Sequence, residues 1–426
     1  MNMGYIKNGL ICNNYNDKNS FLFVSFFFVP IINGYINEIF LVFGIQSISV
    51  YSYVLIYLLS LYIYFWSFFK YYNRIFSLFI LLFLFFMFEI MYYPDVSDAV
   101  FDFSNSLSSI AVSKFFVILF LCLPILWISL CLNEYCIEYV LKYCKIFSYI
   151  TIVLYIITMI LQCTSPYVFN YMTIAYNVMP SLMVLIYCGF VEKKILAKIF
   201  FILGVALIFI GGCRGALLQV IIAMILFYFL NFMSSFTPKR LIYIFIGIII
   251  TIILYKNFYN IMLLVDEILK SLGYSSRLIR MFLNTTREGG ILHFEDRSEI
   301  YAITIPLISI WGNGILVFPY RTMYPHNIII EFLLNFGYIG GSLLIFRLFK
   351  IIYMSYCCVK HSDNHFEIVI WIFAFTTIFV KLMLSSSYLT DRTFWFSLSF
   401  MIFFIRINRE KDNDKIYCKK NNLFIL

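Results

Sequence analysis

The sequence predicts an all-α integral membrane protein with about twelve transmembrane helices and a large extracytoplasmic loop before the tenth span. Of its 426 residues, 63% are hydrophobic and only 12% are charged, whereas a soluble domain carries about 25% charged residues. The mean hydropathy is +0.91. Apolar runs also recur at close to the ~20 residues that a helix needs to cross a bilayer. Because so few charged residues cannot cover a water-facing surface, the main solvent of the protein is expected to be lipid.

Each apolar run is a predicted span. In chain order, the spans are residues 21–44, 49–69, 75–92, 110–132, 146–162, 172–191, 195–212, 216–234, 241–256, 326–346, 367–384 and 393–407. The first span contains Pro30, Asn33 and Gly34. It is therefore predicted to be a broken helix or two interfacial pieces.

Lys and Arg residues predict the orientation of the chain. With the N-terminus in the cytoplasm, the cytoplasmic loops hold about 20 of these residues and the short outer loops about 4. The outer ones are Lys114, Arg214, Lys381 and Arg392. The positive-inside rule thus predicts that both termini are cytoplasmic. It also explains the net charge of +9, and we expect no nucleic-acid partner because no basic stripe lies on a soluble segment.

The predicted organisation has three parts. Residues 1–256 form transmembrane helices 1–9, residues 257–325 form the large loop, and residues 326–426 form helices 10–12 with a cytoplasmic tail. Charged residues alternate in the loop with apolar residues at helical spacing, so we expect amphipathic helices at the membrane interface. The 11 Cys residues are scattered, with no CxxC pair and no Cys/His ligand spacing, which predicts neither a disulfide framework nor a metal site.

Arg214 is the first candidate functional residue. It lies in the small-residue segment 211–216 between two spans, where glycines permit a tight turn and close backbone approach. Two interpretations stay open: an anion-binding cation at the outer interface, or an interfacial arginine that reaches toward water.

Arg297 and Glu299 form a second candidate cluster, beside Asp296 in the large loop. The guanidinium of Arg297 has the planar, bidentate geometry that suits phosphate. Alternatively, Arg297 pairs with one of these carboxylates on a solvated surface.

His326 is the third candidate, at the predicted outer end of the tenth span. Imidazole acts as a general base near neutral pH, and helix N-termini attract anions. Asn327 either orients this histidine or caps the helix. Arg321 precedes it and Glu331 follows it, beneath a charged loop.

These segments, taken in order, resemble the O-antigen ligase and polymerase superfamily, and most closely its Wzy-type oligosaccharide repeat-unit polymerases. The segments that carry the resemblance are Gly211-Gly212-Cys213-Arg214-Gly215-Ala216, Arg297-Ser298-Glu299-Ile300-Tyr301, Gly312-Asn313-Gly314, Pro325-His326-Asn327 and Gly337-Tyr338-Ile339-Gly340. The many spans and the late large loop match the same superfamily. The stretch from residue 312 to His326 is shorter than in that superfamily, which leaves little room for an elaborate acceptor loop around Arg321.

The resemblance implies a metal-independent membrane glycosyltransferase with no cofactor. Its donor would be an oligosaccharide on undecaprenyl diphosphate, and its active site would lie on the periplasmic side of the bacterial inner membrane. The expected product is O-antigen or a similar surface polysaccharide. Membrane lipid and the lipid-linked oligosaccharides are the expected partners, with a chain-length regulator protein as a further candidate.

The resemblance also implies roles for particular residues. Arginines would neutralise the diphosphate leaving group, which assigns Arg214, Arg297 and Arg321 to that group. His326 would be the base for the acceptor hydroxyl or a phosphate ligand, with Glu299 and Glu331 as alternative bases. Arg392 either lines the same active-site cavity as these residues or pairs with Asp391.

Two other functions compete with the polymerase. An O-antigen ligase would use the same donor but transfer the glycan to the lipid A core. A transporter of lipid-linked glycan would require internal pseudo-symmetry and charged residues deep in the spans. Neither feature is found in the sequence, so an enzyme acting at one face of the membrane is favoured.

Overall fold

The computed structural model describes residues 3–45, 117–164, 171–211, 213–232, 258–271, 295–314, 325–360 and 364–422, with isolated positions 58, 61, 62, 283 and 362. All regular elements in these ranges are helical. The α-helices are α1 (Met3–Val42), α2 (Leu123–Cys131), α3 (Cys136–Thr164), α4 (Tyr171–Ile186), α5 (Ile195–Gly211), α6 (Arg214–Phe232), α7 (Phe258–Ser271), α8 (Glu295–Thr304), α9 (Ile328–Lys360), α10 (His365–Thr376) and α11 (Arg392–Asn422).

Short irregular turns extend several of these helices. Five-residue π turns precede α2 at Ile118–Cys122, follow α4 at Tyr187–Val191 and follow α10 at Thr377–Lys381. A 3₁₀ turn at Ile305–Leu307 continues α8, and a last helical turn at Leu382–Leu384 ends the α10 region. Such π turns are uncommon and often mark functional positions.

Within the part of the chain that the structure describes, five helical segments are long and apolar enough to cross a membrane. They are Asn16–Val42, Cys136–Leu161, Met172–Val191, Ile328–Lys360 and His365–Leu384. Shorter apolar helices occupy Phe120–Leu130, Ile195–Gly211 and Gly215–Leu230. Each of these segments overlaps a predicted span, and their lengths and compositions are those of a membrane-embedded protein.

The remaining predicted spans have different outcomes. Span 393–407 lies within helix α11. Spans 75–92 and 241–256 lie outside the described residues, as does span 49–69 apart from three positions. The total of about twelve spans therefore stays a prediction.

Helix α1 corrects the expectation of a broken first span. The helix is continuous through Pro30, and Asn33 and Gly34 lie within it. Proline lacks the backbone N–H of a helical hydrogen bond, but membrane-spanning helices tolerate it when neighbouring groups compensate.

The chain forms two compact units. The first comprises residues 1–33, 47–147 and 297–426, and the second comprises residues 34–46 and 148–296. Aromatic side chains make the core of the first unit: Phe396 of α11 stacks on Phe27 at 3.8 Å and on Phe23 at 5.1 Å between ring centroids. Phe400 also meets Phe23 edge to face at 5.2 Å. Such ring pairs add stabilisation beyond their buried area.

The second unit is built on close helix contacts. Helices α4, α5 and α6 pack against one another. A Cβ on Gly204 would lie 2.7 Å from the Leu182 side chain and 2.9 Å from the Ile152 side chain, so the absence of a side chain at this position lets the helices pack closely. The Tyr35 hydroxyl donates a 2.8 Å hydrogen bond to the Ile174 carbonyl. Buried polar groups of this kind are costly without a partner.

Helix α9 reverses direction at Gly337, which adopts φ 72° and ψ −179° inside the helix. A Cβ on Gly341 would lie 2.7 Å from the Phe332 carbonyl oxygen, although nine residues of straight helix would separate them by about 13 Å. The predicted span 326–346 is thus two packed arms, residues 328–336 and 338–360. The longer arm is about 35 Å long at 1.5 Å per residue.

Candidate functional site

A loop of residues 308–314 closes the turn between the two arms of α9. The Asn313 and Gly314 amides donate to the carbonyls of Leu334 and Asn335, at 2.8 and 3.0 Å. In return, the Tyr338 amide donates to the Ser309 carbonyl at 3.1 Å. The turn breaks the helical hydrogen-bond pattern, and the loop supplies partners for backbone groups that would otherwise be unsatisfied.

Two glycines make this contact possible. Gly312 has φ 89°, and a Cβ there would collide with the Asn335 carbonyl oxygen. A Cβ on Gly337 would collide with the Ile310 carbonyl oxygen. The Gly312-Asn313-Gly314 and Gly337-Tyr338-Ile339-Gly340 segments, which are separate in the sequence, therefore pack backbone to backbone.

His326 lies immediately before the first arm of α9, in the left-handed backbone conformation with φ 51°. Asn327 caps the arm: its side-chain oxygen accepts from the Ile329 and Ile330 amides at 3.0 and 3.3 Å. Of the two roles considered for Asn327, the structure thus supports the helix cap. The half-buried imidazole of His326 is carried at the N-terminus of a fixed helical arm.

Glu331 is buried one turn along the same arm, with 3% of its surface exposed. One carboxylate oxygen accepts a hydrogen bond from the Ser387 hydroxyl. The other accepts from the Tyr388 amide at 3.3 Å. Asn335 donates to the Tyr388 hydroxyl at 2.9 Å. The loop of residues 385–391 is thereby attached to the first arm at two points.

A buried ion pair holds the far end of this loop. Lys381 Nζ lies 2.7 Å from Asp391 Oδ2, with 9% and 3% of the side chains exposed. The Lys381 ammonium also donates to the Thr393 hydroxyl at 2.9 Å. Asp391 caps α11 by accepting from the Thr393 amide at 2.8 Å.

Asp391 stays ionised in this environment. Burial would raise the pKa of its carboxyl, but the Lys381 charge and hydrogen bonds from Lys381, Thr393 and Ser386 hold the pKa below its ordinary value. A carboxylate at low dielectric is stable only when paired and hydrogen-bonded in this way.

A small, partly open apolar pocket lies against the first arm of α9. It is bounded by the two arms of α9 and by the end of the α10 region. The lining residues include Ile328, Phe332, Leu348, Ile378 and Phe379. Ile328 and Ile352 share the pocket, as the reversal of α9 at Gly337 requires.

The predicted site residues are distributed over both units. His326, Glu331 and Arg392 belong to the first unit, as do Arg297 and Glu299, which lie within helix α8. Arg214 is the first residue of helix α6, in the second unit. Arg321 lies outside the described residues. His326 precedes the first arm of α9, and Glu331 lies within that arm.

Arg392 is half-buried at the first position of α11. Asp391, the partner considered for Arg392, forms an ion pair with Lys381. Lys381 does not lie in the short outer loop predicted for it: it ends the π turn Thr377–Lys381 and is buried. An ionisable residue inside an apolar run, with an aspartate ten positions later, is the signal that could have identified it.

Asn335, Ser387 and Tyr388 were not among the predicted site residues. These residue types are common in ordinary helices and loops, and their importance comes from the contact with Glu331 and the first arm. Comparisons of the chain with protein-family models, with curated proteins and with solved structures found no match.

Proposed function

We propose that the protein polymerises undecaprenyl-diphosphate-linked oligosaccharide repeat units into a surface polysaccharide such as O-antigen. It would act at the periplasmic face of the bacterial inner membrane. The growing glycan would pass from its lipid diphosphate to a hydroxyl of the next lipid-linked unit. The proposal rests on the superfamily resemblance of the ordered segments in the second half of the chain.

One structural observation supports this proposal most directly. Three of the resembling segments, which include Gly312, His326 and Gly337, converge on the two arms of α9. The first arm carries His326 at its start and Glu331 one turn later. Catalytic groups need a rigid support to hold a productive geometry, and the packed loop and arms provide it.

The proposed reaction breaks the bond between the anomeric carbon and the diphosphate oxygen. A new bond forms from that carbon to the acceptor oxygen, and the acceptor proton passes to a base. Arginine side chains would stabilise the negative charge that develops on the diphosphate. Arg214, Arg297, Arg321 and Arg392 are the candidates for this role.

His326 is the favoured base. Both carboxylate oxygens of Glu331 accept hydrogen bonds from residues 387 and 388, so this side chain serves better as an anchor for the loop. Glu299 remains an alternative base.

Deletion and complementation of the gene in its host would test the proposal. Loss of a polymerase should leave the lipid A core carrying a single repeat unit, and the unmutated gene should restore the ladder of long chains on a gel. Complementation with Arg214→Ala, Arg297→Ala or His326→Ala should leave the single-unit product. Loss of one transition-state contact typically lowers a rate about 10²–10³-fold.

The same experiment has two outcomes that contradict the proposal. A bare core, with polymer accumulating on the lipid carrier, would indicate a ligase. Full-length chains from all three variants, at membrane levels equal to the unmutated protein, would show that the site assignment is wrong.

A further inference from the structure

We infer that Lys381 and Asp391 are a positioning pair, which holds His326 in place through the loop of residues 385–391. This inference rests on the proposed function, because it assigns the pair a role in the rate of chain extension. Neither residue belongs to the set of diphosphate ligands and bases proposed above.

Burial of the Lys381–Asp391 ion pair is itself costly. Two charges removed from water carry a desolvation penalty, and their mutual attraction only partly offsets it. Apolar residues of similar size often stabilise a buried site equally well. Stability alone therefore gives little reason for Lys381 and Asp391 to be charged, whereas precise placement of the backbone does.

The position of Lys381 lets it contact two elements at once. It is the last residue of the π turn Thr377–Lys381, and the extra residue of a π turn shifts the side chains that follow around the helix axis. The ammonium reaches both Asp391 and the Thr393 hydroxyl, at 2.7 and 2.9 Å. It therefore joins the end of the α10 region to the start of α11.

The loop of residues 385–391, between Lys381 and α11, is bound to the first arm of α9. Ser387 and Tyr388 lie within the loop and contact Glu331 through a hydroxyl and an amide. Tyr388 also accepts from Asn335 at 2.9 Å, and its ring lies 4.4 Å from that of Phe332. The loop is thus bound to the first arm from Glu331 to Asn335.

The first arm of α9 in turn positions the proposed base, His326. His326 precedes this arm directly, and Asn327 joins it to the helix through two amide hydrogen bonds. A shift of the arm would shift the imidazole by a similar distance. Misplacement of a reacting group by about 1 Å can lower a rate about 100-fold. Release of the loop should therefore reduce turnover without removing a group that touches substrate.

The test uses a neutral double variant, Lys381→Met with Asp391→Asn. Each single variant leaves a buried polar or charged group without its partner, so the amount of folded protein should fall. The double variant removes both charges together and keeps an Asn oxygen to cap α11, so the amount of folded protein should recover. The matched control is Lys142→Met with Asp17→Asn, an exposed pair at 3.8 Å elsewhere in the first unit.

Two measurements are made on full-length protein in membranes or detergent. Hydrogen–deuterium exchange of residues 385–391 should accelerate at least about 10-fold in the neutral double variant, since tethering of the loop sets its local opening. Chain extension should fall at least about 10-fold, as misplacement of the base predicts. The KM for the lipid-linked donor should stay within about 3-fold, because the diphosphate ligands are untouched. The control variant should change neither the hydrogen–deuterium exchange of residues 385–391 nor the rate of chain extension.

Each outcome has a distinct meaning. Unchanged exchange in the folded double variant would overturn the inference, whether or not the protein extends chains. Faster exchange with full activity would overturn it as well, since the loop would then not position the base. Faster exchange in a protein whose unmutated form extends no chains would instead reject the proposed function and leave the link between the pair and the loop standing.

Discussion

At the scale of single residues, the described part of the first unit has polar side chains inside an apolar helical scaffold. Glu331, Asn335, Lys381 and Asp391 are all buried, and each has a hydrogen-bond or ionic partner. A buried polar group that loses its partner retains its full desolvation cost, roughly 1–3 kcal/mol and more for a charge. These four residues are therefore the positions where a small change in chemistry should have a large effect.

Glu331 allows its two proposed roles, anchor and base, to be separated. Glu331→Gln keeps an oxygen that accepts from the Tyr388 amide and an amide group that can bond Ser387, but glutamine cannot act as a base. We expect chain extension within about 10-fold of the unmutated rate, since a lost general base typically costs 10²–10⁴-fold. Glu331→Ala should instead lower the amount of folded protein, because Ser387 and Tyr388 lose their partner. The measurements are glycan gels and protein levels in membranes.

The alternative result is equally informative at this residue. A Glu331→Gln protein that is present at normal levels but extends no chains would identify the carboxylate as the base. His326 would then be assigned to the phosphate. Glu299→Gln serves as the parallel test of the third candidate.

The sequence predicted some of these residues and not others, for a physical reason. The Asn327 cap could be recognised because capping depends on neighbours within one helical turn. His326 and Glu331 were identified because ionisable groups near an apolar run are costly. Lys381 was assigned to a loop, since its partner, Asp391, is found only once the chain folds. Ser387 and Tyr388 gain importance through a contact with Glu331, 56 and 57 positions away.

At the scale of elements, the reversal within α9 is the feature that hydropathy misread. Averages over a window report composition, and both arms are apolar, so they merge into one predicted span. Backbone direction depends on a single residue, Gly337, in a conformation that is essentially restricted to glycine. The segment Gly337-Tyr338-Ile339-Gly340 was noticed as a motif, but a motif does not specify the angle between the arms. Pro30 is the converse case, a predicted break in a helix that is continuous.

Gly337→Ala should therefore disrupt the element. The backbone strain at φ 72° and ψ −179°, together with the collision at the Ile310 carbonyl, should cost about 3 kcal/mol or more. Melting of the purified protein in detergent would show the loss as a lower transition temperature or as aggregation. Gly34→Ala is the control, since a Cβ there would meet only Asn177, at 3.6 Å. Equal melting temperatures for the two variants would mean that the turn at Gly337 is not as described.

At the scale of the whole molecule, polar residues collect at two ends of the first unit. At one end, Tyr143 donates to Asp17 at 2.8 Å, and Asn133 donates to Asn16 at 2.9 Å. Arg406 donates nearby to the carbonyls of Leu130 and Leu132, at the end of α2. Arg392 and the loop of residues 385–391 lie at the start of α11. Fourteen residues of helix separate Arg392 from Arg406, which is about 21 Å, a large part of the ~30 Å hydrocarbon core.

The charge bias of the loops decides which end faces the cytoplasm. Lys142, Arg406 and Arg409 belong to the predicted cytoplasmic set, so the end that contains Asp17 and Arg406 should face inward. A green fluorescent protein fused after Leu426 should then fluoresce, and alkaline phosphatase inserted near residue 290 should be active, since each reporter works on only one side of the inner membrane. The opposite pattern would place His326 and Glu331 on the cytoplasmic side. An enzyme that extends glycans at the periplasmic face could not use a site there, so that result would reject the polymerase even if every helix were as described.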